Sequence, residues 1–132
     1  CLEQYASATG IVRLAKKKLA NETRTTVLDK ETVTAKDLWD AVKAGDEVAI
    51  EVAEQFGKYL GSGLAIMAAV ADPAIFVIGG GVSKAGDVLL SYVEKNYRER
   101  AFFAHKNAEF ALASLGNDAG IIGAAKLALD NQ

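Results

Sequence analysis

Five apolar residues in succession, Ala74-Ile75-Phe76-Val77-Ile78, run directly into Gly79-Gly80-Gly81-Val82-Ser83, and nothing else in the sequence restricts the fold as strongly. A run without polar alternation suits a strand covered on both faces, as strands of parallel sheets are. Downstream, Val88, Leu89, Tyr92, Val93 and Tyr97 recur at helical spacing. A second strand fits Phe110–Leu115, and a last helix starts near Asn117 or Asp118 and continues through Ile122, Ala125 and Leu129. Residues 74–132 therefore predict a right-handed βαβ unit with two parallel strands and a closing helix.

The first half of the chain reads as helical. Residues 3–20 predict one helix, with Ile11, Leu14, Ala15 and Leu19 on one face and lysines opposite. The polar segment from Asn21 to Thr34 predicts a surface loop with a short extended piece at Thr25–Leu28. Thr34 and Asp37 have capping-box spacing and open a short helix through Leu38, Ala41 and Val42, with Trp39 at its rim. A long helix follows from near Asp46 to about residue 70, with Met67 as core filler, and Asp72-Pro73 stops it. Gly57, Gly61 and Gly63 should each cost that helix about 1 kcal/mol relative to Ala. Gly57 and Gly61, four apart, can offset this by letting a neighbouring backbone approach closely. The chain thus predicts a helix-rich α/β fold with segments 1–20, 34–70 and 74–132.

Fifteen basic and seventeen acidic residues leave a net charge of −2, which gives no concentrated basic face for a nucleic-acid partner. The basic tract Arg13, Lys16, Lys17 and Lys18 reads as a solvated helix face. No apolar stretch reaches the ~20 residues that span a bilayer, so no membrane partner is expected. The single Cys fits a reducing compartment, and cytoplasmic placement is expected. The opening Cys1-Leu2-Glu3 carries no Met and reads as an internal piece of a longer protein.

A glycine run between a strand and a helix lets backbone N–H groups approach a phosphate or ribose. It is not a P-loop, since no Gly-Lys-Ser/Thr follows, and Lys84 stands where a dinucleotide fingerprint needs its third glycine. By itself the run is as compatible with a tight structural turn as with a ligand site. Its place after a parallel strand favours a ligand, because such sheets bind at that end.

Together these residues resemble a known family. Phe76 to Ser83 is similar to the adenosine motif of ROK sugar kinases, members of the actin-like ATPase superfamily. Leu115-Gly116-Asn117-Asp118-Ala119-Gly120-Ile121-Ile122-Gly123-Ala124-Ala125 resembles the family's closing helix. Cys1-Leu2-Glu3-Gln4-Tyr5-Ala6-Ser7 resembles the end of its cysteine-rich signature, and the likeness is closest to glucokinases of Gram-positive bacteria. The implied fold is part of the C-terminal lobe of an actin-like (ribonuclease H-like) ATPase, with the N-terminal lobe absent.

The resemblance also implies roles. Gly79, Gly80 and Gly81 match backbone that lies along the nucleotide, with Val82 and Ser83 beside it. Glu3 matches a glutamate that grips sugar hydroxyls, although a first-turn acid favouring the helix dipole is the plain alternative. Cys1 matches one ligand of a structural zinc site whose other three ligands lie upstream, so zinc is not expected on these residues alone. Gly116 and Asp118 to Gly120 match the adenine side. His105 reads as a surface residue. The implied reaction is transfer of the ATP γ-phosphoryl group to the 6-hydroxyl of glucose or a related hexose, with Mg²⁺. Its phosphate loop and aspartate base belong to segments before Cys1, so this chain has no catalytic residue and is expected to be inactive alone. Homo-oligomers, dimers among them, are expected. The rival reading is a sugar-responsive ROK transcriptional repressor, which shares this body, while repressors often lose the glycine turn kept here. A third reading is a non-catalytic module whose helices only dimerise.

Overall fold

The computed structural model describes residues 1–114 and 118–130. Its elements are α1 (Ala8–Leu19), α2 (Ala35–Lys43), α3 (Glu47–Ala71), β1 (Ile75–Ile78), α4 (Asp87–Arg100), β2 (Glu109–Leu112) and α5 (Ala119–Asp130). Short 3-10 turns lie at Leu2–Gln4, Gly81–Ala85 and Phe103–His105. β1 and β2 pair in parallel, from Ile75 opposite Glu109 to Ile78 opposite Leu112, with α4 in the crossover. Helix-rich architecture around two parallel strands is as the sequence predicts.

Side-chain caps set where the helices begin. Ser7 is extended (φ −132°, ψ 174°), and its hydroxyl accepts the Gly10 N–H at 3.0 Å. That cap corrects the single helix expected over residues 3–20: α1 starts at Ala8, and the preceding residues form a separate turn. Thr34 and Asp37 do complete a reciprocal capping box. Asp46 caps α3 through Ala49 N–H (2.9 Å) and also accepts from the Thr26 hydroxyl (2.8 Å) and Val27 N–H (2.9 Å). Pinned there, residues 25–28 form no strand, and Leu28 and Val33 enter the core instead. α3 ends where Asp72 turns left-handed (φ 44°) just before Pro73.

The core is built around α3, against which α1, α2 and α4 pack. Trp39 is buried rather than at a rim, edge-on to Phe56 with ring centres 6.0 Å apart. Met67 is half exposed with Ile66 and Val70 exposed beside it, which corrects its expected core role. In its last turns α3 keeps only Leu64 and Ala68 in the core. Phe76 and Phe110 are register partners stacked at 5.4 Å, and Tyr97 of α4 meets both rings edge-on. The other face of the sheet carries Ile75 and Val77, 44% and 61% exposed. Burial on both faces of β1 is thus corrected for these residues, because the packed helices cover one side only. Ile121 and Ile122 of α5 are exposed as well.

Candidate functional site

Parallel pairing puts the C-terminal ends of β1 and β2 side by side. Ala113 N–H donates to Ile78 O at 2.9 Å and carries the pairing to the sheet's edge. The chain then turns at Gly79, where a Cβ would stand 3.2 Å from the Cβ of Ala113. Gly80 follows at φ 73° and ψ −162°, a region that is nearly glycine's alone. No atom lies within 4 Å of where its Cβ would be, so its outer side is open. This is the exposed backbone that a flat ligand can approach.

Further along the turn, Val82 and Ser83 are half-buried. Ser83 donates to Gly80 O twice, from its hydroxyl (2.7 Å) and its N–H (3.2 Å), so its hydroxyl hydrogen is engaged within the turn. Val82 is half-buried and packs on the core. A nucleotide beside these two residues would therefore meet mainly backbone. A Cβ on Gly81 would stand 3.2 Å from the Cβ of Ala8, which places the turn against the first residue of α1. Gly86 (φ 76°) then redirects the chain into α4. The sequence reading missed it, though a glycine just before the stripe at Val88 and Leu89 is a signal for such a bend.

Glu3 lies on the turn at Leu2–Gln4, immediately before α1, so one helix start links it to the glycine turn. Its side chain is exposed, and among the described residues it has no hydrogen-bond or ion-pair partner. Cys1 is an exposed free thiol. Among the described residues no three His, Cys, Asp or Glu side chains gather as metal ligands. Asp118 is exposed, while Gly116 lies outside the described residues.

Other polar clusters serve the scaffold. His105 is half-buried rather than on the surface, its Nδ1 2.7 Å from Asp72 Oδ1, and Tyr97 donates its hydroxyl to His105 O at 2.6 Å. Asp72 precedes β1 and His105 precedes β2, so this clasp sits at the sheet end away from the glycine turn. A groove of about 840 Å³ runs between α1 and α3, lined by Leu14, Lys17, Glu51, Lys58 and Tyr59 among others. On its border Arg24 bridges Glu22 (2.8 Å) and Glu51 (2.8 Å), and Lys18 also pairs with Glu51 (2.5 Å). Hydrogen bonds from Arg24, then Lys18, pull the Glu51 carboxyl down to about 2. The Arg24 guanidinium and backbone hold Glu22 far below the usual carboxylate range. These pairs stitch the 21–34 loop to α1 and α3.

The model of a family described as ROK family matches residues 1–131. A glucokinase of Halalkalibacterium halodurans is 43% identical over 128 residues, covering 93% of this chain and 39% of that protein. The crystal structure of a ROK family glucokinase from Streptomyces griseus, in complex with glucose and AMPPNP, superposes with a TM-score of 0.84 at 32% identity, covering 96% of this chain and 44% of that one. The DNA-binding transcriptional repressor Mlc of Escherichia coli is 32% identical over 105 residues, covering 80% of this chain and 26% of the repressor. The chain thus spans less than half the length of these relatives. No described helix is long and apolar enough to cross a membrane.

Proposed function

The chain belongs to the ROK family, with the helix-rich C-terminal-lobe portion of the actin-like ATPase fold, and we propose that it forms the nucleotide wall and one sugar ligand of an ATP-dependent hexose kinase. Glucose is the proposed acceptor, through its 6-hydroxyl. One observation carries this reading: a glycine turn with an open outer side stands at the C-terminal ends of two parallel strands, against the helix start that the Glu3 turn precedes. Phosphoryl transfer depends on positioning both substrates and on stabilising charge, and the contact of the glycine turn with the start of α1 supports this reading.

The roles follow from chemistry. Backbone at Gly79–Gly81 lies along the nucleotide, with Val82 and Ser83 as its inward support. Glu3, a carboxylate without a partner among the described residues, accepts hydrogen bonds from sugar hydroxyls and discriminates against sugars that leave it unpaired. ATP with Mg²⁺, the aspartate base and the phosphate loop meet this wall from segments outside residues 1–132. Cys1 would join a structural zinc only with three ligands from those segments. The enzyme is proposed to be cytoplasmic and homo-oligomeric.

The likeness to a repressor supports a second reading, in which the same body senses sugar without phosphorylating it. The positive-φ, open Gly80 favours the kinase, since a sugar sensor has no need of that backbone. A panel of hexoses tested with ATP on the intact protein separates the two. Phosphorylation of glucose above other hexoses is expected; tight sugar binding with no phosphorylated product would favour the repressor.

A further inference from the structure

We propose that Gly10, assisted by Arg13, is a positioning residue for the Glu3 carboxylate, an inference that rests on the reading of Glu3 as a sugar ligand. The turn that carries Glu3 has three residues and none of them is buried, so its own packing cannot fix its place. It is held from outside. A Cβ on Gly10 would stand 2.7 Å from the carbonyl carbon of Tyr5, 2.8 Å from its oxygen and 3.0 Å from Gln4 O. All three are backbone atoms, which cannot rotate aside as the end of a side chain can. Arg13, one turn along α1, donates from Nη1 to Gln4 O (3.0 Å) and to Gln4 Oε1 (3.2 Å). Gln4, the residue after Glu3, thus lies against α1 because Gly10 has no side chain to hold it off and the Arg13 guanidinium bonds it there.

Two other contacts complete the seat. Leu2 lies over Gly63, where a Cβ would meet its Cδ2 at 2.6 Å, and the Tyr5 ring rests on Tyr59 at 4.9 Å. Leu2 is flexible and could yield, so Gly10 sets the stricter limit. Glycine is a poorer helix former than Ala, and α1 gains nothing from having it here. The close approach of the Gln4–Tyr5 backbone is what requires it.

The test is a double-mutant cycle in the intact enzyme: Glu3→Gln, Gly10→Ala and the pair, with glucose and ATP KM measured for each. Gly10→Ala is expected to raise glucose KM about tenfold, since an ångström of misplacement suffices for that, with ATP KM unchanged. Added to Glu3→Gln it should do no further harm, because the group it positions is already altered. Arg13 is exposed, so Arg13→Ala keeps the fold and offers the same cycle if Gly10→Ala fails to fold; Arg13→Lys, which keeps a cationic donor group, should restore most of the loss. An effective Glu3→Gln with a silent Gly10→Ala, or with losses that multiply in the pair, overturns the positioning role alone. A silent Glu3→Gln overturns the sugar reading and this inference with it.

Discussion

A Cβ on Gly61 of α3 would stand 2.7 Å from the backbone nitrogen of Tyr97 on α4, and one turn earlier a Cβ on Gly57 would stand 2.7 Å from Tyr92 O. The two helices therefore touch backbone to backbone. Asn96 of α4, fully buried between them, spans the gap by donating to Glu54 Oε1 of α3 at 3.3 Å, and it also donates to Tyr92 O of its own helix at 2.9 Å.

Gly61→Ala sets two effects against each other. Helix propensity favours Ala by about 1 kcal/mol, and overpacking a rigid contact typically costs ~1–3 kcal/mol. Because the obstructing atoms are backbone, overpacking should win, and the urea midpoint should fall. Gly63→Ala meets only the Leu2 side chain and should cost less. Equal midpoints for the two variants would contradict this ranking.

Acid should weaken the stitching of the 21–34 loop. Glu51 and Glu22 have folded pKa values below their ordinary 4.5, so their contribution is fully present above about 4.5 and fades as pH falls toward 2. Asp46 adds to this: partial burial pushes its carboxyl up, but the Ala49, Val27 and Thr26 hydrogen bonds outweigh that and leave it low. Between pH 6 and pH 3 the unfolding midpoint should drop, and Arg24→Met should be less stable at pH 6 with a shallower drop. A variant as pH-sensitive as the wild type would show that these exposed pairs carry none of the effect.

How much of this was legible beforehand depended on the range of the forces involved. The Thr34–Asp37 box, the Asp72-Pro73 stop and the close-approach role of Gly57 and Gly61 are local or strongly patterned, and all appear as read. The helix expected from residue 3 failed because Ser7 caps more strongly than the apolar period extends. Met67 and the outer face of β1 failed for another reason: apolarity marks a residue that wants cover, without saying which element provides it. For the site, the glycine turn was visible as a motif. Its approach to Ala8 was not, since nothing in either segment encodes the other.

If the base and the phosphate loop lie outside residues 1–132, as proposed, the 132-residue chain alone should show no ADP release dependent on ATP and glucose, since those groups supply transition-state stabilisation. It should also self-associate at low micromolar concentration. Ile75 and Val77 stand exposed on the open sheet face, and a two-stranded sheet leaves unpaired edges beside them. Turnover above a protein-free control would contradict the first expectation, and a compact monomer in sedimentation the second.

The most direct measurement compares Gly80→Val with Glu3→Gln in the intact protein, each checked as folded by circular dichroism, with affinities read for ATP and for glucose. Valine at φ 73° is strained and places side-chain bulk in the open space beside the turn. Gly80→Val should therefore weaken ATP and spare glucose. Glu3→Gln removes a charged acceptor worth ~1.5–3 kcal/mol, so it should weaken glucose roughly tenfold or more and spare ATP. That reciprocal pattern is the predicted result; unchanged ATP affinity in folded Gly80→Val would contradict the assignment of the glycine turn to the nucleotide.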